Sequence, residues 1–187
     1  MISHLHGDHF AGLPFLILDG QFSKRTRPLV IAGPPGLSDR LIAAMEIFFP
    51  GSSAVPRGFP LRFIELRPRV PTTLGPWSVS SFPVRHASGA PSYALRMQFA
   101  SKILGYSGDT EWMDTLVDAA RDADLFICEA YFFEKEIPYH LSYKTLLARQ
   151  DKLTCKRLVI THMHQELLDR LDEVKIEYAN DGQILEF

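Results

Sequence analysis

Seven residues near the start of the chain, Ser3-His4-Leu5-His6-Gly7-Asp8-His9, limit what it can become more than any other stretch. Three imidazoles and a carboxylate fall within six positions, directly after what reads as the end of an apolar strand. Imidazole nitrogen and carboxylate oxygen are the donor set of Zn²⁺ and similar borderline metals, and a turn lets alternate side chains converge on one point. Gly7 lets the backbone bend closely past bound ions. The competing reading is a polar loop with accidental histidines. Three of the chain's seven His in so short a stretch weigh against it, and the segment is taken as a set of metal ligands.

A length of 187 residues suits one domain with a substantial core and is too short for two comfortable ones. With 46% hydrophobic and 22% charged residues the chain has the composition of a soluble globular protein. Cys128 and Cys155 both sit beside apolar segments, which predicts reduced core or near-core thiols and a cytoplasmic location. No apolar run reaches the ~18–20 residues of a membrane span, and the given residues show no basic-then-apolar pattern of signal type. A net charge of −2 argues against a surface built for indiscriminate nucleic-acid binding. The tight basic group Lys24, Arg25 and Arg27 is read as a solvated loop. Only Met1 to Ser3 precede the first candidate ligand, fewer than the ~5–6 residues of a typical strand. The expectation is therefore a single domain over 1–187, incomplete at its N-terminus.

Along the chain, Phe10 to Phe22 is mainly apolar and reads as helical, with Asp8 near its start and Pro14 in its first turn or at a kink. Leu29 to Ala32 predicts a buried strand entering the turn Gly33-Pro34-Pro35-Gly36, after which Ser38 is expected to cap a helix carrying Leu41, Ile42 and Met45. Strands are predicted at Leu61–Leu66, Trp77–Val84, Tyr93–Phe99 and Ile103–Tyr106, the third with alternating faces. A helix over Glu111–Ala123, a strand at Asp124–Cys128 and a helix from Ser142 to about Leu153 follow. The strand Arg157–Thr161, a helix over Gln165–Leu171, and strands at Val174–Tyr178 and Gln183–Leu185 around the turn Asn180-Asp181-Gly182 complete the reading.

The segment Ile2 to Leu13 resembles the signature of the metallo-β-lactamase superfamily, and within it the ribonuclease Z branch. The resemblance implies an α/β (α+β) fold, the αββα sandwich, here lacking its first N-terminal strands, with a two-metal site at the sandwich edge. Such a site takes about seven protein ligands around two ions ~3.5–4 Å apart, with a bridging water or hydroxide as nucleophile. His86, after the strand ending at Val84, stands where the family's third ligand falls. Asp109, in Ser107-Gly108-Asp109-Thr110, matches its bridging Asp; capping a following helix is the alternative. His162, in Thr161-His162-Met163, matches the last ligand, and His164 is left as a solvated or supporting histidine. The implied arrangement is His4, His6 and His86 on one metal, Asp8, His9 and His162 on the other, and Asp109 on both. Two Zn²⁺ are expected, with Mn²⁺ or Fe²⁺ as alternatives. His rather than Glu at position 6 marks the hydrolytic branches, and Asp rather than Cys at 109 points towards phosphodiesterases, glyoxalase II and lactonases.

His140-Leu141-Ser142 resembles the family's His-Ser-Thr element, whose His donates a proton, and Glu129 in Cys128-Glu129-Ala130-Tyr131 is the candidate to orient it. An incidental loop His ahead of a Ser142 helix cap is the alternative. Asp8 could in addition hold the nucleophile's proton. Between His86 and Asp109 there is little more than a hairpin, so the family's tRNA-clamping arm has no room. The leading expectation is a dinuclear phosphodiesterase acting on a small phosphodiester or RNA-type substrate, with no membrane partner and a homodimer left open. A lactone or thioester hydrolase and an inactive N-terminally truncated fragment are the rivals.

Overall fold

Helix follows directly on the His-rich turn. In the computed structural model, which describes residues 1–187, His6 keeps an extended backbone (φ −80°, ψ 152°), and its carbonyl accepts the Phe10 N–H at 3.2 Å. The chain thus changes from extended to helical within the motif. It divides into two compact units, residues 1–66 with 88–91, and residues 67–87 with 92–187.

The first unit contains α1 (Gly7–Phe10), α2 (Gly12–Phe22), β1 (Leu29–Gly33), α3 (Leu37–Phe48) and β2 (Leu61–Glu65). Strands β1 and β2 pair in parallel, Leu29 opposite Leu61 through Gly33 opposite Glu65, and α3 lies on the crossover between them. Ile2, Leu5, Phe10, Ile17, Ile31, Leu37, Leu41, Met45 and Phe59 form its core. The Ile2 N–H donates to the Ala32 carbonyl at 2.8 Å, which fastens the segment before His4 to β1. A β-carbon at Gly33 would stand 2.8 Å from Leu37 Cδ2 and 3.1 Å from Ile2 Cβ, so this approach requires glycine. Ser38 does not cap α3. Gly36, in the left-handed conformation (φ 81°), is the cap residue, and its N–H is taken by Glu65 Oε1 at 3.1 Å. The Pro-Pro-Gly turn starts the helix two residues earlier than a Ser38 cap would, at the buried Leu37. Of the basic group, Arg25 is committed to its own loop, donating to the carbonyls of Arg27 (2.8 Å) and Pro28 (3.1 Å).

The second unit holds one seven-stranded sheet whose spatial order follows the chain: β3 (Thr72–Leu74), β4 (Trp77–Val84), β5 (Ser92–Phe99), β6 (Lys102–Tyr106), β7 (Leu125–Glu129), β8 (Leu158–Thr161) and β9 (Glu177–Tyr178). Pairing is antiparallel from β3 to β6 and parallel from β6 to β9. Helices α4 (Thr115–Ala120), α5 (Tyr143–Arg149) and α6 (Gln165–Leu168) lie between strands in sequence, and Leu116, Ala119, Phe126, Tyr143, Leu146 and Ile160 belong to a second core. β5 departs from simple alternation: Ser92 to Leu95 are buried on both faces, and only its far end is exposed.

Several expected elements are shorter or absent; the helix expected over Gln165–Leu171 ends at Leu168, and that expected from Ser142 to about Leu153 is α-helical only over Tyr143–Arg149. The helix foreseen over 111–123 is confined to Thr115–Ala120, because the Thr110 N–H is tied to Glu129 ahead of it and Asp122 turns into the left-handed region (φ 51°) behind it. A 3-10 turn at Leu171–Glu173, closed by Val174 N–H to the Leu171 carbonyl (3.2 Å), leaves only Glu177–Tyr178 to pair as the last strand. Gln183–Leu185 pairs with nothing as a strand; the Gln183 N–H turns back to Asn180 at 3.0 Å. Both cysteines are free thiols, and burial raises each pKa, most strongly that of the fully buried Cys128. No helix is long and apolar enough to cross a membrane.

Candidate metal centre

In the first unit the His-rich turn brings its own rings together. His4 is buried, its Nδ1 lies 3.1 Å from Ser3 Oγ, and its ring centroid is 3.9 Å from that of His9 and 5.1 Å from that of His6. Asp8 is largely exposed, with Oδ2 3.3 Å from His9 Nε2. A residue the sequence reading passed over fixes this turn from behind. Arg40, on α3, donates through Nη1 to the carbonyls of Leu5 (3.2 Å) and Ser88 (3.1 Å), and Nη2 lies 3.5 Å from the Gly89 carbonyl. One guanidinium therefore spans the backbone between His4 and His6 and the loop that follows His86 and Ala87.

In the second unit His86, Asp109, Glu129, His140 and His162 converge. His86 Nδ1 is bound to the Tyr139 carbonyl at 2.9 Å, which requires a proton on Nδ1 and turns the Nε2 lone pair inward, 3.9 Å from Asp109 Oδ2. Asp109 is buried and caps no helix, since α4 begins at Thr115 behind Asp114. Its two oxygens face different partners, Oδ2 towards His86 and Oδ1 towards His162 Nδ1 at 3.5 Å. One ligand atom each from His86, Asp109 and His140 lies within 4.8 Å of the others, and the same holds for Glu129, His140 and His162. Nitrogen and oxygen donors at such spacing, with no thiolate among them, fit a borderline divalent ion.

Glu129 is the electrostatic anchor of this group. Its carboxylate is 1% exposed. Oε1 accepts the Thr110 N–H in a short hydrogen bond. Oε2 accepts from His140 Nδ1 at 3.0 Å and from His162 Nδ1 at 3.4 Å. The Glu129 N–H is in turn held by Ser107 Oγ at 2.9 Å. His140 stacks on Tyr131, centroids 4.5 Å apart at 25°, so ring position and tautomer are both set. Ser142 does cap α5, accepting the Thr145 N–H at 3.2 Å, but His140 two residues before it is engaged as well. His162 takes φ 58°, a left-handed geometry that costs a residue with a β-carbon ~1–2 kcal/mol. Such strain gathers where a side chain must be aimed. His164 serves the fold instead, its Nδ1 accepting the Glu166 N–H at 3.2 Å as the cap of α6.

The family model for the beta-lactamase superfamily domain matches residues 1–163, a span that runs from the His-rich turn through His162. The chain belongs to the metallo-β-lactamase superfamily. Ribonuclease Z of Agathobacter rectalis is 25% identical over 234 aligned positions, covering 96% of this chain and 75% of that protein. Ribonuclease Z of Ignicoccus hospitalis is 25% identical over 231 positions, covering 93% and 74%. Both alignments are longer than the 187-residue chain, so each relative carries stretches, within the matched span, that this member lacks. Among solved structures, human tRNase Z, short form, superposes with a TM-score of 0.76 at 24% identity, covering 99% of this chain and 77% of that one, a likeness of fold.

Arg40, Tyr131 and the second role of Glu129 escaped the sequence reading. An arginine on an amphipathic helix looks like a solvated side chain until the carbonyls opposite it are known. Tyr131, two residues after Glu129, carries no signal of its stacking on His140 until the loop after β7 is seen to bring that ring back over it.

Proposed function

We propose that this metallo-β-lactamase-fold hydrolase is a dinuclear phosphodiesterase of ribonuclease Z-like kind. In this reading His4, His6 and His86 hold one ion, Asp8, His9 and His162 the second, and Asp109 both; Zn²⁺ is the expected metal. When bound, such a pair supplies an activated water and neutralises charge developing on the phosphoryl group. The chain's own residues do the rest. His86 is kept as an Nε2 donor by the Tyr139 carbonyl. Arg40 holds the backbone between His4 and His6.

The observation that carries the choice of a phosphodiester is the Glu129–His140 pair. A departing alkoxide needs a proton, whereas a thioester's thiolate leaves without one, so the pair favours an oxygen leaving group; a lactone shares that need, and turnover separates it from a diester. His140 has Nδ1–H on a buried carboxylate, so its Nε2 is turned away from Glu129 and can pass a proton to the leaving oxygen. Glu129 stabilises the imidazolium before the transfer and fixes the ring afterwards. In the same reading Asp8, exposed beside His9, accepts the proton of an attacking water.

The test is elemental analysis with turnover of bis-aryl phosphodiesters, cyclic nucleotides, tRNA precursors, lactones and thioesters. Two ions per chain and diester hydrolysis are expected. His140→Ala should keep its metal and lose on the order of 10²–10⁴ in turnover of an unactivated diester, and less on an aryl ester with a good leaving group. Equal losses on both substrates remove the proton-donor role. Cleavage of lactones or thioesters alone overturns the phosphodiester reading, and no turnover of any substrate by metallated protein would favour an inactive fragment.

A further inference from the structure

Apart from the candidate ligands, the second unit has a cavity of about 330 Å³ lined by Arg69, Ser80, Phe82, Arg96, Asp118 and Arg121. Ser80 and Phe82 lie on one face of β4, and Arg96 stands opposite Ser80 on β5, so the three share that face. The end of α4 lies over it, because Arg96 Nη1 donates to the carbonyls of Ala119 (3.3 Å) and Arg121. Ser80 precedes His86 by six positions. At ~3.3 Å per residue that is about 20 Å along the strand, so the cavity is separate from the metal residues.

Three guanidiniums against one carboxylate line the cavity, a surplus of two positive charges. Asp118 is already paired twice, Oδ2 with Arg69 Nη1 at 2.9 Å and Oδ1 with Arg121 Nη2 at 2.7 Å. Arg96 is held only by neutral carbonyls. Burial pushes the Arg96 pKa below the ordinary arginine value; Asp122, outside the lining, opposes this, and Arg121 adds to it. An ion-pair network built for stability alone would match its charges, whereas this one keeps cations together in a concavity. The backbone also spends strain here. Arg69 sits at φ 62°, fixed by its N–H on the Ser81 carbonyl at 2.7 Å, and its guanidinium lies 5.5 Å over the Phe82 ring. Such strain in a residue with a β-carbon gathers where a side chain must be aimed.

Each guanidinium carries five N–H donors and has one nitrogen engaged, so each keeps donors for an occupant. A carboxylate has two oxygens and one charge. A phosphomonoester has three terminal oxygens and nearly two charges at neutral pH, one oxygen for each guanidinium and a charge that meets the surplus. The volume holds about ten waters at ~30 Å³ each, more than a bare phosphate displaces. We propose that this cavity is a binding site for the phosphate group of a small phosphomonoester, held by Arg69, Arg96 and Arg121 with the Ser80 hydroxyl beside them. The site stands whether or not the protein cleaves diesters.

Calorimetric titration of the full chain with glycerol 3-phosphate tests this, with dimethyl phosphate and inorganic phosphate as the other arms. Saturable binding of the monoester is expected, weakened about tenfold or more by Arg121→Gln, because a charge-assisted fork is lost. The monoester should raise the unfolding temperature of the parent and not of the variant. Dimethyl phosphate, with two free oxygens and one charge, should bind at least about tenfold more weakly than the monoester. Arg121→Gln leaves Asp118 paired with Arg69, and unfolding of the unliganded variant checks its fold. Should that variant fail to fold, Arg69→Gln is expected to weaken the monoester equally. The proposal is overturned if the monoester does not bind, or if a folded Gln variant binds it as the parent does, which would place it at the metal centre. Dimethyl phosphate binding as well as the monoester would overturn it in favour of a surface for nucleic-acid backbone, and binding of inorganic phosphate alone would overturn it in favour of a bare anion site.

Discussion

Glu129→Gln removes one charge at nearly constant volume, and its effect can be worked from three hydrogen bonds. The native carboxylate accepts from the Thr110 N–H, His140 Nδ1 and His162 Nδ1 and offers no donor of its own. A glutamine has one acceptor oxygen and one NH₂. If the oxygen keeps Thr110, the NH₂ confronts both imidazole N–H groups; if it turns to the histidines, the NH₂ meets the Thr110 N–H. Either orientation leaves at least one buried donor unsatisfied, about 1–3 kcal/mol of stability. The histidines can escape by moving their protons to Nε2. For His162 that escape protonates the ring nitrogen turned away from Glu129, the one through which the proposed site would hold metal. A ten- to hundredfold loss of metal affinity, typical when a ligand's supporting partner is removed, is therefore expected. For His140 the imidazolium loses its counter-charge, and turnover of a diester with a poor leaving group should fall on the order of 10²–10⁴. The assay joins denaturant unfolding, chelator competition and turnover on the one variant, with His140→Ala beside it. Because His140 and His162 share one oxygen, Glu129→Gln should lose both properties and His140→Ala only the second. Metal affinity and turnover both within about twofold of the parent would refute the shared-anchor reasoning.

Arg40→Ala leaves three backbone carbonyls without the cation that joins them, and should lower stability by roughly 1.5–3 kcal/mol in denaturant unfolding and reduce bound metal. Arg40→Lys should recover only part of this, because an ammonium cannot span the same carbonyls; full recovery by Lys would show that charge alone matters. Asp124 accepts from Lys156 Nζ (2.9 Å) and the Ile103 N–H (2.8 Å), and its pKa lies below the ordinary carboxylate value, mainly through the Lys156 hydrogen bond. Its contribution is therefore fully present above the ordinary value and lost as pH falls through the lowered one. Asp124→Asn should be less stable than the parent at neutral pH, with the gap closing in acid; an equal gap at both pH values contradicts the assignment.

Much of the fold was legible because its signals are local. Leu29–Ala32 and Leu158–Thr161 are short apolar runs, Trp77–Val84 sets apolar residues among serines, all three have turn residues or charges at their ends, and each is a strand within a residue of its expected bounds. What failed depended on partners elsewhere in the chain. Gln183–Leu185 has strand composition but no strand to pair with, and the cap of α3 was decided by a glycine's left-handed backbone and by Glu65, 29 residues on. At the site, the residue types and their place after strands could be read directly. Their tautomers could not, because these depend on acceptors far away in sequence: the Tyr139 carbonyl lies 53 residues from His86, and Glu129 lies 33 from His162.

The direction of the strands explains why a one-dimensional pattern carried so much of the site. β6, β7 and β8 are parallel neighbours, with Tyr106 opposite Ile127 and Glu129 opposite Thr161. β4 is antiparallel to β5, and β5 to β6, so β4 runs in the same direction as those three. The carboxyl ends of all four therefore open on one edge of the sheet, where parallel α/β architectures collect their ligands. His86 follows β4, Asp109 follows β6, Glu129 ends β7 and His162 follows β8. The recurring pattern of an apolar run followed by His, Asp or Glu is the sequence image of that single edge. His140 is the exception, reaching the same edge from the loop after β7, and it is also the residue that needs both a carboxylate and a stacked tyrosine to hold it. A ligand placed at a strand end inherits its position from the backbone ladder, whereas a loop histidine must have its position built from side chains. Removing the Tyr131 ring should therefore disturb His140 far more than the strand-end residues His86 and Asp109.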